Sequence, residues 1–177
     1  MTKNKVHTES LTIRVDKQIL DELRHESDQK LQSPNTLINQ VLKQYVKWHA
    51  YAPKAGIFYM SRTLLSSILE ELSNEDIVKI SERDVKANFN DFFFMFQNEY
   101  NTENILELLD NYARASGLNY KHRIEGTIHF IIIQLDMGQK TTLLLASILK
   151  NVFDRIAKVP HYDMQHTDNM IKIRIEM

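Results

Sequence analysis

The sequence contains no cysteine. A disulfide framework and a thiolate metal site are therefore excluded, a pattern that fits a reducing interior. Glycine and proline are scarce, at four and three of 177 residues, which excludes collagen-like and Pro/Gly-rich low-complexity classes. No apolar run approaches the roughly 20 residues of a membrane-spanning helix; the longest lies around Phe130–Ile133. The opening MTKNKVHTES is polar, so no secretory signal is expected there. An excess of one charge is missing too: 22 Lys/Arg stand against 23 Asp/Glu, net −1. That argues against a generally basic coat for nucleic acid. No Ser/His/Asp constellation, paired carboxylates or cofactor loop stands out, so neither catalysis nor a bound cofactor is expected.

What is present suits one large domain or two small ones, with 43% hydrophobic and 25% charged residues, ordinary for a soluble globular chain. The most organised stretch is Glu9–Trp48, ESLTIRVDKQILDELRHESDQKLQSPNTLINQVLKQYVKW. Over Glu9–Val15 the residues alternate. Leu11, Ile13 and Val15 take one face of a strand, and Ser10, Thr12 and Arg14 the other. Asp16 is placed to cap a first helix with Ile19, Leu20 and Leu23 on its apolar stripe. Ser33 and Pro34 are a capping hydroxyl followed by a proline at the first helical position. Leu37, Ile38, Val41, Leu42, Tyr45 and Val46 then recur at helical spacing. One strand and two helices cannot bury this much apolar surface, and a lone strand leaves its backbone groups unpaired. A second copy of the chain solves both problems. Two strands pair antiparallel across a twofold axis and four helices close over them. Leu11, Ile13, Val15, Leu37, Ile38, Val41, Leu42 and Tyr45 become the core of an intertwined homodimer.

On these features residues 9–48 resemble a ribbon-helix-helix domain of the Arc/MetJ type. The resemblance rests on the LTIRV strand and on SPNTLINQVLKQYV. It implies a two-stranded ribbon in the DNA major groove, with Ser10, Thr12 and Arg14 reading base edges; Arg14 suits bidentate contact to guanine. It also implies phosphate contacts at the start of the second helix, from Ser33, Pro34 and Asn35. Lys3 and Lys5, with His7, would form either an arm for further phosphates or a solvated tail that contacts nothing. Many members carry glycine two residues before the capping serine. Here that position is Leu31, which implies a different inter-helix turn and a longer first helix. Charge is mildly biased the same way. Residues 1–50 hold eight Lys/Arg and six Asp/Glu, and residues 51–177 fourteen and seventeen.

Pro53 and Gly56 break the helical pattern, so a linker is expected over 50–57, between a DNA-binding domain at 1–49 and a C-terminal domain at 58–177. No internal repeat is evident. Helices are expected over Ser61–Leu72, from Ser73 to Ile80 with Asp76 completing the cap, and again from Ser81 along Val85, Phe89, Phe92, Phe93 and Phe96. Thr102 is placed to cap a helix ending at Gly117. The period then changes. Strands are expected over Leu118–Glu125 and Thr127–Leu135, the latter central and covered on both faces. A helix from about Lys140 to Ile156 and a final hairpin turning at Asp168-Asn169 complete a β-β-α-β-β unit. The fold class is α+β, with the C-terminal region oligomerising or sensing.

Three further features carry chemistry. Phe92, Phe93, Phe94, Met95 and Phe96 cover every side of a helix, so one face is core and the rest is core, interface or an apolar ligand pocket. His122 and His129 are seven apart, and His161 and His166 five apart. Odd separations put each pair on opposite faces of one strand, and no metal is expected unless ligands converge from different strands. Asp136–Thr142 joins a strand to a helix but lacks the second glycine of a phosphate loop; Thr141 would either hold an anion or cap the helix.

The expected function is a sequence-specific, DNA-binding transcriptional regulator, for instance a repressor, located in the cytoplasm at the nucleoid. Its partners would be double-stranded DNA, itself as dimer or dimer of dimers, and an unidentified small-molecule effector. The alternatives are an architectural nucleoid protein with low sequence preference, and an adaptor that uses the ribbon only to dimerise.

Overall fold

The computed structural model describes residues 9–157, 159 and 161–177. They form two compact units that divide between Lys43 and Gln44.

In the first unit α1 spans Lys17–Gln29 and α2 spans Pro34–Gln44. Asp16 caps α1, its carboxylate accepting from the Gln18 N–H at 2.8 Å. Ser33 caps α2 by accepting from the Thr36 N–H at 3.1 Å. Residues 9–16 form no strand. A strand exists through its ladder, and no described residue of this chain pairs with them. The first helix is not lengthened at Leu31. Leu31 takes φ 51°; its N–H donates to Asp28 O at 3.1 Å, and the Gln32 N–H to Ser27 O at 3.0 Å. These two bonds and the left-handed residue between them are a Schellman motif, with leucine in the conformation glycine favours.

The second unit opens with a π-helical turn, Tyr45–His49, and a series of turns through Gly56. The stretch expected as a linker is part of this unit. Trp48 and Ala52 are buried there, and the Ile57 N–H donates to Ala52 O at 2.9 Å. Next come α3 (Arg62–Glu70), α4 (Asn74–Phe96) and α5 (Thr102–Ala115). Helix α4 is unbroken. Ser81 does not start a helix; it is buried and donates its hydroxyl to Val78 O at 2.7 Å, the local bond open to a mid-helix serine. Asn101, not Thr102, caps α5, because its extended backbone aims the amide oxygen at the Asn104 N–H, 2.8 Å away.

Strands β1 (Asn119–Glu125), β2 (Ile128–Gln134), β3 (Tyr162–His166) and β4 (Met170–Glu176) form one antiparallel sheet in the order β1-β2-β4-β3. Between β2 and β3 run α6 (Gln139–Asn151) and a π-helical turn, Val152–Ala157. The α+β class and the β-β-α-β-β order are as expected. Ile131, Ile133, Ile171, Ile173 and Ile175 fill one face of the sheet and join Leu145, Leu149 and Phe153 in the core. Strand β2 is central but covered on one face only, since Ile128, Phe130 and Ile132 on the other are half-buried.

Candidate nucleic-acid interface

The first unit buries very little. Among its described residues only Ser27 and Leu37 are buried. Leu11 is 78% exposed and Ile13 54%, and Ile19, Val41 and Leu42 are also about half exposed. Ile38 and Val15 are intermediate. Tyr45, in the second unit, is exposed as well. Apolar side chains at strand and helix spacing are thus left in water, although burial of each would gain roughly 1.5–3 kcal/mol. Ser10, Thr12 and Arg14 alternate with Leu11 and Ile13 and are all exposed. Arg14 forms no ion pair or hydrogen bond among the described residues, so its guanidinium has all five donors available.

The start of α2 is built as an anion-tolerant end. Ser33 and Asn35 are exposed, and Pro34 takes the first helical position. The Ser33 hydroxyl also lies 2.8 Å from the Thr36 hydroxyl. The first turn contains no acidic side chain. The unpaired backbone N–H groups of a first turn, with the helix dipole, favour a phosphate oxygen there. Lys3, Lys5 and His7 lie outside the described residues.

The second unit holds the remaining candidates. His122 on β1 and His129 on β2 do meet, ring nitrogens Nε2 and Nδ1 lying 3.0 Å apart. A separation of seven along one strand would put them on opposite faces. A hairpin holds them, and its register places Ile124 opposite His129, so both rings share one face. Burial lowers the His122 pKa, the neighbouring His129 lowers it further, and Asp110 opposes them. No described group of three or more His, Cys, Asp or Glu could hold a metal ion. The Asp136–Thr142 loop offers no free hydroxyl. Thr141 donates to Met137 O at 3.0 Å and Thr142 to Asp168 O at 2.9 Å, both side chains buried. Lys140 is turned onto Glu70 O and Leu72 O, at 2.6 and 2.8 Å.

The phenylalanine run divides as its spacing implies. Phe93 is fully buried, while Phe92 and Phe96 pack around Trp48, the latter stacked at 4.8 Å between ring centroids. Phe94 is half exposed and lies edge-on to Tyr100. Met95 lines a half-open, largely apolar cleft of about 660 Å³ between α4, α5, α6 and residues 54–57, with Phe89, Leu108 and Ile148 in its walls and Asp84, Asn88 and Asp91 also lining it.

One pattern escaped the linear reading. Lys121-His-Arg-Ile-Glu125 and Lys172-Ile-Arg-Ile-Glu176 are near repeats, and the register sets them level with each other on the two strands that flank β2. No family model, no curated protein and no solved structure matches this chain.

Proposed function

We propose that the protein is a sequence-specific DNA-binding transcriptional regulator whose first unit works as an intertwined homodimer. Residues 9–15 of two copies pair as a ribbon, and Ser10, Thr12 and Arg14 enter the major groove. The observation that carries this reading is the pairing of an exposed apolar row, Leu11 and Ile13, with an exposed polar row on the same segment. A unit in which Leu37 is the only buried apolar residue among those described needs a partner to be stable. The cap at Ser33 and the Schellman turn at Leu31 fit the same arrangement, with the start of α2 on a phosphate. The cavity in the second unit is where a small apolar effector would bind; its volume lies in the range of ligand sites.

The test is selection from a randomised duplex pool at about 150 mM salt, where exposed non-specific contacts are screened, with wild type and Arg14→Ala side by side. The wild type is expected to enrich a short palindromic or repeated motif. Loss of a bidentate base contact costs about 1–3 kcal/mol, so the variant should lose preference at one base position of each half-site. Equal binding to every sequence by both proteins would instead favour the architectural role. No binding by either would leave the ribbon as a dimerisation device.

A further inference from the structure

The cleft in the second unit has a charged rim that a wholly apolar ligand would leave unanswered. Helix α4 lays two neighbouring stripes along it. Val85, Phe89 and Phe92 recur at i, i+4 and i+7 as an apolar wall, and Asp84, Asn88 and Asp91 recur one residue earlier as the rim. Val85 is buried and the two phenylalanines are half-buried, while the three rim residues are exposed. The floor is already packed, since Leu108 on α5 and Leu149 on α6 are buried in the core. The side formed by residues 54–57 is held by its backbone, the Ala55 N–H donating to Tyr51 O at 3.0 Å and the Ile57 N–H to Ala52 O at 2.9 Å. The rim charges are not neutralised within the chain. Asp91 forms no ion pair or hydrogen bond among the described residues. Asp84 accepts from the Asn88 amide at 2.7 Å through Oδ1, which leaves Oδ2 open. Arg83 and Lys86, on either side of Asp84-Val85, do not line the cleft. Among the described residues Lys54 is its one cation, so two carboxylates less one ammonium leave a formal −1.

We propose that the cleft takes an elongated apolar cation, an aromatic body laid against Phe89 and Phe92 with a protonated amine at the carboxylate rim. This names the chemical class of the effector, and it rests on the effector site proposed above. The helical rise sets Asp84 and Asp91 about 10 Å apart along α4, so a body of two linked rings spans the rim. The division of labour follows from the two stripes. The apolar wall and floor supply most of the binding, because the body leaves water there. The carboxylates select the sign of the charge more than they add affinity, since both stand at an exposed rim. A cation close to the rings of Phe89, Phe92 or Tyr112 gains further from their faces. An anion of the same shape would meet two carboxylates for one ammonium, and a neutral alcohol would leave both carboxylates unpaired.

Three probes of one shape test this: 4-phenylbenzylamine, 4-phenylbenzyl alcohol and 4-phenylbenzoate, titrated calorimetrically into the whole chain at about 20 mM salt, where rim charges are little screened. The amine is expected to bind about fivefold to tenfold tighter than the alcohol, with the benzoate weakest. Asp84→Asn with Asp91→Asn keeps the shape of the rim and leaves Lys54 as the one charge on it among the described residues. The order should then invert, the benzoate becoming the tightest of the three. Ile148 is a half-buried wall residue; Ile148→Phe narrows the cleft and should weaken all three probes. Far-UV ellipticity and Trp48 emission verify folding in each variant. Equal affinities for the three probes, or a wild type that prefers the benzoate, overturn the proposal and leave the effector site standing. Absence of binding by every probe overturns both. An amine preference that survives the two asparagines, or affinities that a folded Ile148→Phe chain retains, place the ligand elsewhere and overturn the proposal too.

Discussion

Two single side chains in the second unit work against its stability in measurable ways. The Tyr120 hydroxyl is buried and has no hydrogen-bond partner among the described residues. Burial pushes its pKa up, and the nearby Asp110 carboxylate adds to the shift. An unpaired buried hydroxyl costs about 1–3 kcal/mol. Tyr120→Phe is therefore expected to raise stability by about 1 kcal/mol, read as a higher urea midpoint of Trp48 emission. A lower midpoint would show that the hydroxyl has a partner after all. His122 acts through pH. Its folded pKa lies below the ordinary 6.5, from burial first and His129 second, against Asp110. Between the folded and unfolded values the unfolded chain holds a proton that the folded chain refuses. The contribution is thus complete above about pH 6.5 and declines as pH falls toward the folded value. Urea midpoints at pH 7.5 and 5.5 should diverge in wild type and converge in His122→Gln. An equal slope in both would refute the assignment.

At the scale of elements the same turn occurs twice with different residues. Helix α5 ends in a Schellman motif like that of α1: the Gly117 N–H donates to Arg114 O, and the Leu118 N–H to Ala113 O. Gly117 has φ 61° and Leu31 φ 51°. A side chain in this conformation costs about 1–2 kcal/mol, and Leu31 is 95% exposed, so its side chain offsets little of that. Leu31→Gly should stabilise the first unit by about 1 kcal/mol, after allowing for the extra freedom glycine gives the unfolded chain. Gly117→Ala should destabilise the second by a similar amount, since a Cβ there would also meet the Arg62 guanidinium at 3.3 Å. Thermal melts that shift both the same way would sink the comparison. These turns also show what can be read from a sequence. Periodicity and turn residues placed α3, α5, α6 and all four strands, because apolar spacing is local information. Ser81 misled because serine suits both a cap and a self-satisfied mid-helix site. The two π-helical turns, the His122–His129 contact and the paired K-x-R-x-E edges depend on wide helical bonds and strand register, which spacing along one strand does not encode. The DNA-binding proposal, by contrast, rests on the alternation of 9–15 in the sequence, where this single chain forms no strand.

For the molecule as a whole, the two units differ in where their stability originates. The second has a contiguous core with Trp48, the chain's single tryptophan, 4% exposed and packed on Phe92, Phe96 and Tyr112. Among its described residues the first buries one apolar side chain, Leu37, and on the proposed reading relies on a second copy for the rest. Anything that binds only the folded form raises its apparent stability. Removing the pairing surface should therefore lower the stability of the first unit and leave the second alone. Far-UV ellipticity reports helices of both units, whereas Trp48 emission reports the second. Heating Leu11→Asp/Ile13→Asp is expected to give an early loss of part of the ellipticity, with the emission transition unchanged from wild type. Neither side chain is buried within the chain, so such an effect has to act through association. If ellipticity and emission fall together in both proteins, the units unfold as one. The first would then not depend on a partner, and the dimeric ribbon would lose its main physical support.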